Sequence, residues 1–261
     1  MSRKVRIGNL FIGGGEKIAV QSMTNTRTRD TEATSVQIKR LEEAGCDIVR
    51  CAVRNEEDAE AFETLVGITK MPLVADIHFD YRLAIAAMEN GAAKVRVNPG
   101  NLGEIENFGK VLDCAEANGC AVRIGVNGGS VNKSDRAETP DKEEAMLRSV
   151  ERYVKYAEGR GFYDLVLAAK SSSVRATVSM GRKLSERFDY PLHIGVTEAG
   201  VYETSLVRSA VGIGSLLLDG IGDTIRVSAT GDPVPEVRAA RLILESLGLI
   251  RCTEVVSCPT C

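Results

Sequence analysis

The junctions in this 261-residue sequence share one grammar: a stretch of helical length ends in glycine, and a short β-rich run starts at once. The pattern appears as EAGCDIVR at Gly45, ENGAAKVRV at Gly91, ANGCAVRIG at Gly119 and GRGFYDLVL at Gly161, with LDGIGDTIRV a variant at Gly220 and Gly222. Glycine tolerates the left-handed turn that ends a helix, so each junction marks where one unit hands over to the next. Eight strand candidates emerge: IAVQSMT, DIVRCAV, LVADIH, KVRVNP, AVRIGV, DLVLAAK, LHIGVTE and DTIRVSAT, each followed by a helical stretch. Most are apolar on both parities, the pattern of parallel strands covered on both faces. Eight such units in about 250 residues match a closed (β/α)8 TIM barrel. The competing α/β architecture, a doubly wound open sheet, lacks support because no Gly-rich dinucleotide fingerprint follows the first strand.

The barrel is expected to fill residues 1–250. Ahead of its first strand, Val5 to Lys17 (VRIGNLFIGGGEK) reads as a β-hairpin placed to cover the barrel's bottom. After a last helix from about Val234 to Leu247, residues 251–261 read as the opening of a further segment.

Charge and hydropathy narrow the function. With 44% hydrophobic and 26% charged residues the chain is long enough for one large domain. A formal net charge of -3 supplies no overall basic field, which argues against nucleic acid or an anionic membrane as partner. The start of the sequence lacks a leader pattern and no run of ~18 apolar residues occurs, so a cytoplasmic location is expected. Seven cysteines in such a chain point to thiols or metal ligands rather than disulfides.

Against that background, four strands carry arginine among apolar β-formers: Arg50 in IVR, Arg96 in VRV, Arg123 in VRI and Arg226 in IRV. A guanidinium in such a strand is expensive to bury without an anion. Barrel strands aim their carboxyl ends at one mouth, so four such arginines converge on a polyanion, for which the planar fork suits phosphate. Lys170, ending the sixth strand, adds a point charge, and Asn98, Asn127 and Ser228 follow as neutral hydrogen-bonding groups. The plain alternative is that each arginine is neutralised by a carboxylate such as Asp76 or Glu198. NPGNLG and GVNGGS offer backbone N–H groups to phosphate, weakly diagnostic alone.

Asp76, His78 and Glu198 also fall at strand ends, where each can move a proton or hold a hydroxyl. His193, at the start of its strand, reads as a hydrogen-bonded core histidine. Cys258 and Cys261 form a CxxC in SCPTC, a spacing suited to zinc, an iron–sulfur cluster or thiol redox chemistry, or to a tail with no metal. Cys46, Cys51, Cys114, Cys120 and Cys252 read as small apolar side chains.

Taken jointly and in order, QSMTNT, VADIHF, VRVNPGN, RIGVNGGS, HIGVTEAG, DTIRVSATGDP and SCPTC resemble the 4-hydroxy-3-methylbut-2-enyl diphosphate synthase family over essentially the whole sequence. The resemblance implies reductive opening and dehydration of 2-C-methyl-D-erythritol 2,4-cyclodiphosphate, a step of isoprenoid biosynthesis using two electrons and a [4Fe–4S] cluster. It also implies diphosphate contacts at Arg50, Arg96, Arg123, Asn127, Lys170, Arg226 and Ser228. Asp76, His78 and Glu198 match polar contacts near the reacting carbons, with Glu198 meeting the hydroxyl region or assisting proton transfer. Cys258 and Cys261 match the first two of three cluster cysteines. The third, a ligating glutamate and most of the small cluster domain do not occur within these 261 residues, so this chain alone is expected to be inactive. Ferredoxin or flavodoxin is the implied electron donor, and the implied full-length form is a homodimer in which one subunit's cluster domain caps its partner's barrel.

Two other functions fit parts of the pattern. A metal-free phosphate-binding barrel of the dihydropteroate synthase type has no use for the CxxC. A non-catalytic ligand-binding fragment would bind the cyclodiphosphate without turnover.

Overall fold

The computed structural model describes residues 1–127, 139 and 141–251. Strands β3 (Ala19–Met23), β4 (Ile48–Val53), β5 (Leu73–Ile77), β6 (Lys94–Val97), β7 (Ala121–Asn127), β8 (Leu165–Lys170), β9 (His193–Ile194) and β10 (Thr224–Ile225) form one parallel sheet in the order β8-β7-β6-β5-β4-β3-β10-β9. Its two ends meet: Leu167 bridges Leu192 in parallel, Leu167 N donates to Pro191 O at 2.9 Å, and Thr197 N donates to Ser171 O at 3.2 Å. The ring is thus a (β/α)8 barrel, the architecture expected from the sequence. Around it run α1 (Thr31–Glu43), α2 (Glu56–Val66), α3 (Tyr81–Glu89), α4 (Ile105–Ala117), α5 (Lys142–Gly159), α6 (Val174–Arg187), α7 (Tyr202–Leu218) and α8 (Val234–Ser246).

Local chemistry sets the punctuation. Asp30, Asn55, Asp80, Asp141 and Ser173 each accept a backbone N–H in the first turn of the helix they precede, contacts that contribute about 1 kcal/mol apiece. At the other ends, Gly45, Gly91, Gly119, Gly161 and Gly220 all adopt positive φ, the backbone state that side chains with a Cβ avoid.

Ahead of the barrel, β1 (Val5–Ile7) and β2 (Leu10–Ile12) pair antiparallel, Val5 opposite Ile12. Val5, Ile7 and Ile12 pack on Ala19, Ile48, Val74, Ala121 and Val166, which stand near the starts of their strands. The hairpin therefore plugs the N-terminal end of the barrel, as its sequence suggested.

Two details differ from expectation. Strand residues of one parity, such as Val49, Cys51, Val95, Val97, Val122 and Ile124, are buried in the core shared with the helices. The opposite parity is not uniformly apolar: it starts apolar at the hairpin and becomes polar towards the carboxyl ends, through Gln21, Arg50, Asp76, Lys94, Arg96 and Arg123. Since successive strand residues alternate faces, every strand arginine projects into the barrel. Also, LHIGVTE and DTIRVSAT contribute only two residues each to the sheet. Beyond Ile194 the chain takes φ +156° at Gly195, where a Cβ would lie 2.3 Å from Arg226 O, so only glycine fits beside the neighbouring segment.

Candidate functional site

Register brings the charged side chains together. Met23 pairs with Arg50, Asp76 with Arg96, Arg96 with Arg123, and Asn127 with Lys170 across neighbouring strands. Asp76, Arg96 and Arg123 thus share one row, with Arg50 one inward position below and Lys170 nearer the carboxyl ends, and these side chains line a cavity of about 710 Å³. Arg50, Arg96, Arg123, Lys170 and Arg226 line it with Asp76, His78, Glu198 and Ser228. A second cavity, about 560 Å³, lies at the opposite end; Glu151, Glu158, Glu186, Asp189 and Asp223 in its wall give it the wrong sign for a phosphate.

Asp76 is the counter-ion within the cluster. It is 3% exposed, accepts from Arg96 Nη1 at 3.2 Å, and its other oxygen lies 3.5 Å from Arg50 Nε and 3.6 Å from His78 Nε2. Burial alone would raise its carboxyl, but Arg50, the nearby His78 ring, Arg96 and Arg123 reverse this and hold it well below the usual carboxylate range. The expectation that acids neutralise the arginines holds for Arg50 and Arg96 at Asp76 and for Arg226 at Glu236. Glu198 plays no such part in the described contacts.

The match is incomplete for Arg123, Arg50 and Arg226. Arg123 is 2% exposed, and its Nε and Nη1 have no hydrogen-bond partner among the described residues. Burial, then Arg50 and Arg96, push it well below the usual arginine range, the mark of a cation held without adequate compensation. Arg50 is pushed down to about 10, chiefly by burial. Its Nε and Nη2 point at the Met23 thioether, 3.2 and 2.9 Å away, a weak acceptor. Arg226 reaches Glu236 Oε2 at 3.5 Å while its own Nε has no partner among the described residues. A buried donor without an acceptor costs about 1 to 3 kcal/mol, and these donors belong to side chains that line one cavity.

Two glycines make room for these cations. A Cβ at Gly125 would sit 2.9 Å from Arg96 Nε, and one at Gly195 would sit 3.0 Å from Lys170 Nζ. Lys170 is partly buried, and burial with Arg123, Arg50, Arg226 and Arg96 pushes it well below the usual lysine range. Ser228 follows β10, its carbonyl accepting from Ser205 Oγ at 2.6 Å.

His78 and Glu198 are exposed at the mouth. Glu198 holds φ +51°, a left-handed conformation unusual for a side chain with a Cβ and typical of functional turns. His193 is the hydrogen-bonded interior histidine foreseen, 1% exposed, yet its Nε2 lies 3.0 Å from Lys170 Nζ, which ties it to the site. Asn98 is buried outside the cavity lining, at the start of a 3-10 turn over Pro99–Asn101. The N–H groups of Asn101 and Leu102 are used inside that turn, leaving NPGNLG less to offer a phosphate than expected. Beyond the backbone pairing of Asn127, its side chain and the GGS that follows lie outside the described residues, as do Cys252, Cys258 and Cys261.

Sequence reasoning passed over Lys94, Glu236 and Met23. Lys94 is fully buried beneath the arginines, 3.4 Å from Gln21 Oε1, and burial, Arg123 and Arg50 drive it well below the usual lysine range. Its place in KVRV two residues before Arg96 was the available signal, because alternation puts both on the same face. Glu236, in the first turn of α8, accepts from Ala229 N at 2.9 Å and braces the segment after β10. Nothing local in VPEV marks that role. Cys46, Cys51 and Cys120 are buried, with thiols pushed up to about 12 by burial, while Cys114 is partly buried. Among the described residues no group of three or more His, Cys, Asp or Glu is arranged to hold a metal ion, and no helix is long and apolar enough to cross a membrane.

Comparison with known proteins agrees with this geometry. The family model of the GcpE TIM-barrel domain matches residues 2–241. The chain is 52% identical over 266 residues to the 4-hydroxy-3-methylbut-2-en-1-yl diphosphate synthase (flavodoxin) of Caldanaerobacter subterraneus subsp. tengcongensis, covering 100% of this chain and 74% of the relative. Relatives of the same name from Clostridium perfringens and Thermotoga maritima are each 48% identical, with 75% and 74% of their lengths covered. Among solved structures, Yersinia pestis dihydropteroate synthase superposes with TM-score 0.69 at 14% identity, over 94% of this chain and 100% of the other. The Xanthomonas albilineans enzyme with 7,8-dihydropteroate gives 0.67 at 17%, over 96% of this chain and 100% of that one. At such identity the likeness is one of barrel fold alone, and it lends no weight to a condensing activity. A barrel whose mouth gathers guanidinium groups, matched end to end by these close relatives, belongs to the GcpE TIM-barrel family, that of the 4-hydroxy-3-methylbut-2-en-1-yl diphosphate synthases.

Proposed function

We propose that this chain is the substrate-binding barrel of a 4-hydroxy-3-methylbut-2-en-1-yl diphosphate synthase, an oxidoreductase that opens and dehydrates 2-C-methyl-D-erythritol 2,4-cyclodiphosphate. The observation that carries the substrate class is the pair of buried donors on Arg123 that have no partner among the described residues, on a side chain set among other cations lining one cavity. A doubly phosphorylated ring supplies acceptors that the described wall lacks.

In this reading Arg50, Arg96, Arg123, Lys170 and Arg226 bind the diphosphate, with Ser228 and Asn127 as neutral partners. Asp76 keeps Arg50 and Arg96 aimed at the cavity and, with His78, borders the ring carbons. Glu198 meets the hydroxyl region or carries a proton there, its strained backbone presenting the carboxylate at the mouth. The buried cations lower the free energy of the bound anions most where water is excluded.

The reaction adds two electrons and expels an oxygen as water, chemistry no side chain described here performs. A [4Fe–4S] cluster supplies it when bound, and the described residues offer no place for one. Cys258 and Cys261 are proposed as two of its ligands, residues 251–261 as the opening of the cluster segment, and residues 1–250 as the barrel domain. Flavodoxin, which the relatives' names carry, is the proposed electron donor, and ferredoxin the alternative. Assembly as a homodimer and a cytoplasmic location complete the proposal.

The test uses the protein with its whole cluster segment, loaded without oxygen and supplied with reduced flavodoxin. Conversion of the cyclodiphosphate is expected; no turnover from fully loaded protein would defeat the assignment.

A further inference from the structure

Lys170 ends β8 and His193 begins β9, on strands that meet where the ring closes. Lys170 Nζ lies 3.0 Å from His193 Nε2, and His193 Nδ1 lies 2.8 Å from Thr224 Oγ1 on β10. His193 and Thr224 are 1% and 0% exposed, so the imidazole has no water to turn to. The lysine nitrogen rests against the bare Cα of Gly195, where a side chain would crowd it.

This three-membered chain serves both protonation states of the lysine. A neutral imidazole carries its proton on either nitrogen, and an amine as well as an ammonium has N–H groups to donate. In both states an N–H of Lys170 Nζ donates to Nε2 and Nδ1–H donates to Thr224 Oγ1, so the proton gained by the amine goes to its cavity-side lone pair. No hydrogen bond is lost between the two states.

The surroundings decide which state is favoured. Arg123, Arg50, Arg226 and Arg96 face Lys170, and Lys94 faces His193 from below. Of the carboxylates lining the same cavity, Asp76 is engaged with Arg50 and Arg96, and Glu143 with Ser179 and Lys183; Glu198 stands exposed at the mouth. An additional positive charge is therefore costly in the empty site, and an entering dianion removes that cost.

We propose that Lys170, His193 and Thr224 form a proton-coupled positioning device: one proton from solvent adds to the Lys170 lone pair on the cavity side as the diphosphate enters, while His193 Nε2 accepts an N–H from Nζ throughout and holds the new ammonium against the ligand. The inference rests on the diphosphate reading above. His193 acts through Lys170 and is a positioning residue.

The cyclodiphosphate suits the test because each of its phosphates keeps a single, strongly acidic O–H. It does not itself titrate near neutral pH, so any proton taken up goes to the protein. Calorimetric titration of this chain at pH about 7.5, in buffers of different ionisation enthalpy, measures binding and proton uptake separately. Uptake of roughly one proton per ligand is expected. Lys170→Arg, whose guanidinium keeps its proton, is expected to bind with that uptake abolished.

His193→Phe removes the acceptor for the ammonium and should move the pH range of uptake downwards by roughly half a unit or more. Thr224→Val, which leaves the ring in place but unanchored, should move it in the same direction. Binding by wild type without buffer dependence, uptake undiminished in Lys170→Arg, or an unshifted range in both His193→Phe and Thr224→Val would each overturn the proposal. Failure of wild type to bind at all would overturn the diphosphate reading itself, and the proposal with it.

Discussion

Arg96 donates from Nη1 to Asp76 Oδ1 at 3.2 Å, and the same two residues are register partners on β5 and β6. The backbone pairing and the ion pair thus reinforce each other. Because Asp76 also faces Arg50, one carboxylate fixes two of the site's cations before any ligand arrives. The pre-set geometry spares an incoming anion the entropy of ordering long side chains.

Asp76→Asn keeps the shape and removes the charge. Breaking a buried pair from one side costs about 3 kcal/mol or more, so the empty variant should unfold at lower denaturant than wild type. Bound cyclodiphosphate replaces the lost anion and should stabilise the variant more than it stabilises wild type. Equal denaturation midpoints without ligand would contradict the counter-ion role.

Acid should expose the same pair. The folded-state carboxyl of Asp76 lies below its unfolded value, so its stabilisation is fully present above about pH 4 and is lost as pH falls towards the folded value. Denaturant melts between about pH 5 and pH 2 should therefore fall more steeply for wild type than for Asp76→Asn. Parallel curves would show that Asp76 titrates alike in both states.

Gly125→Ala tests whether a missing side chain serves the site. The added methyl would lie 2.9 Å from Arg96 Nε on a backbone of ordinary φ, so Arg96 must shift while the strand remains. A loss of affinity of about tenfold, roughly 1.4 kcal/mol, is expected, with the denaturation midpoint changed little. Unchanged affinity would show that Arg96 need not occupy its present position.

Much of this was legible in the sequence, and the misses have physical causes. Glycine punctuation gave the strand–helix alternation because only that residue takes positive φ cheaply at each helix end. The four strand arginines stood out because a guanidinium in an apolar strand demands an anion, and the barrel brings them to one cavity. Lys94 escaped notice because it opens its strand, where a lysine usually reaches solvent, whereas here the hairpin seals that end. Met23 meets Arg226 only after 203 residues of chain have closed the ring, and Glu236, ten residues beyond Arg226, reaches it only through the turn into α8, relationships no local pattern encodes. Gly125 and Gly195 read as ordinary loop or strand glycines until the side chains occupying their space are known.

Cys258→Ser probes the segment that follows the barrel. In the protein with its whole cluster segment, the barrel should melt as wild type does, while iron retained after anaerobic loading falls to background. Iron content equal to wild type would refute the ligand assignment.

The account stands most directly on Arg123, a lining residue of the cavity whose buried Nε and Nη1 find no partner among the described residues. Titration of the cyclodiphosphate into wild type and Arg123→Ala by calorimetry is expected to show binding weakened by about 2 kcal/mol or more, roughly thirtyfold, as charge-assisted contacts are lost. An identical dissociation constant for the two proteins would contradict it.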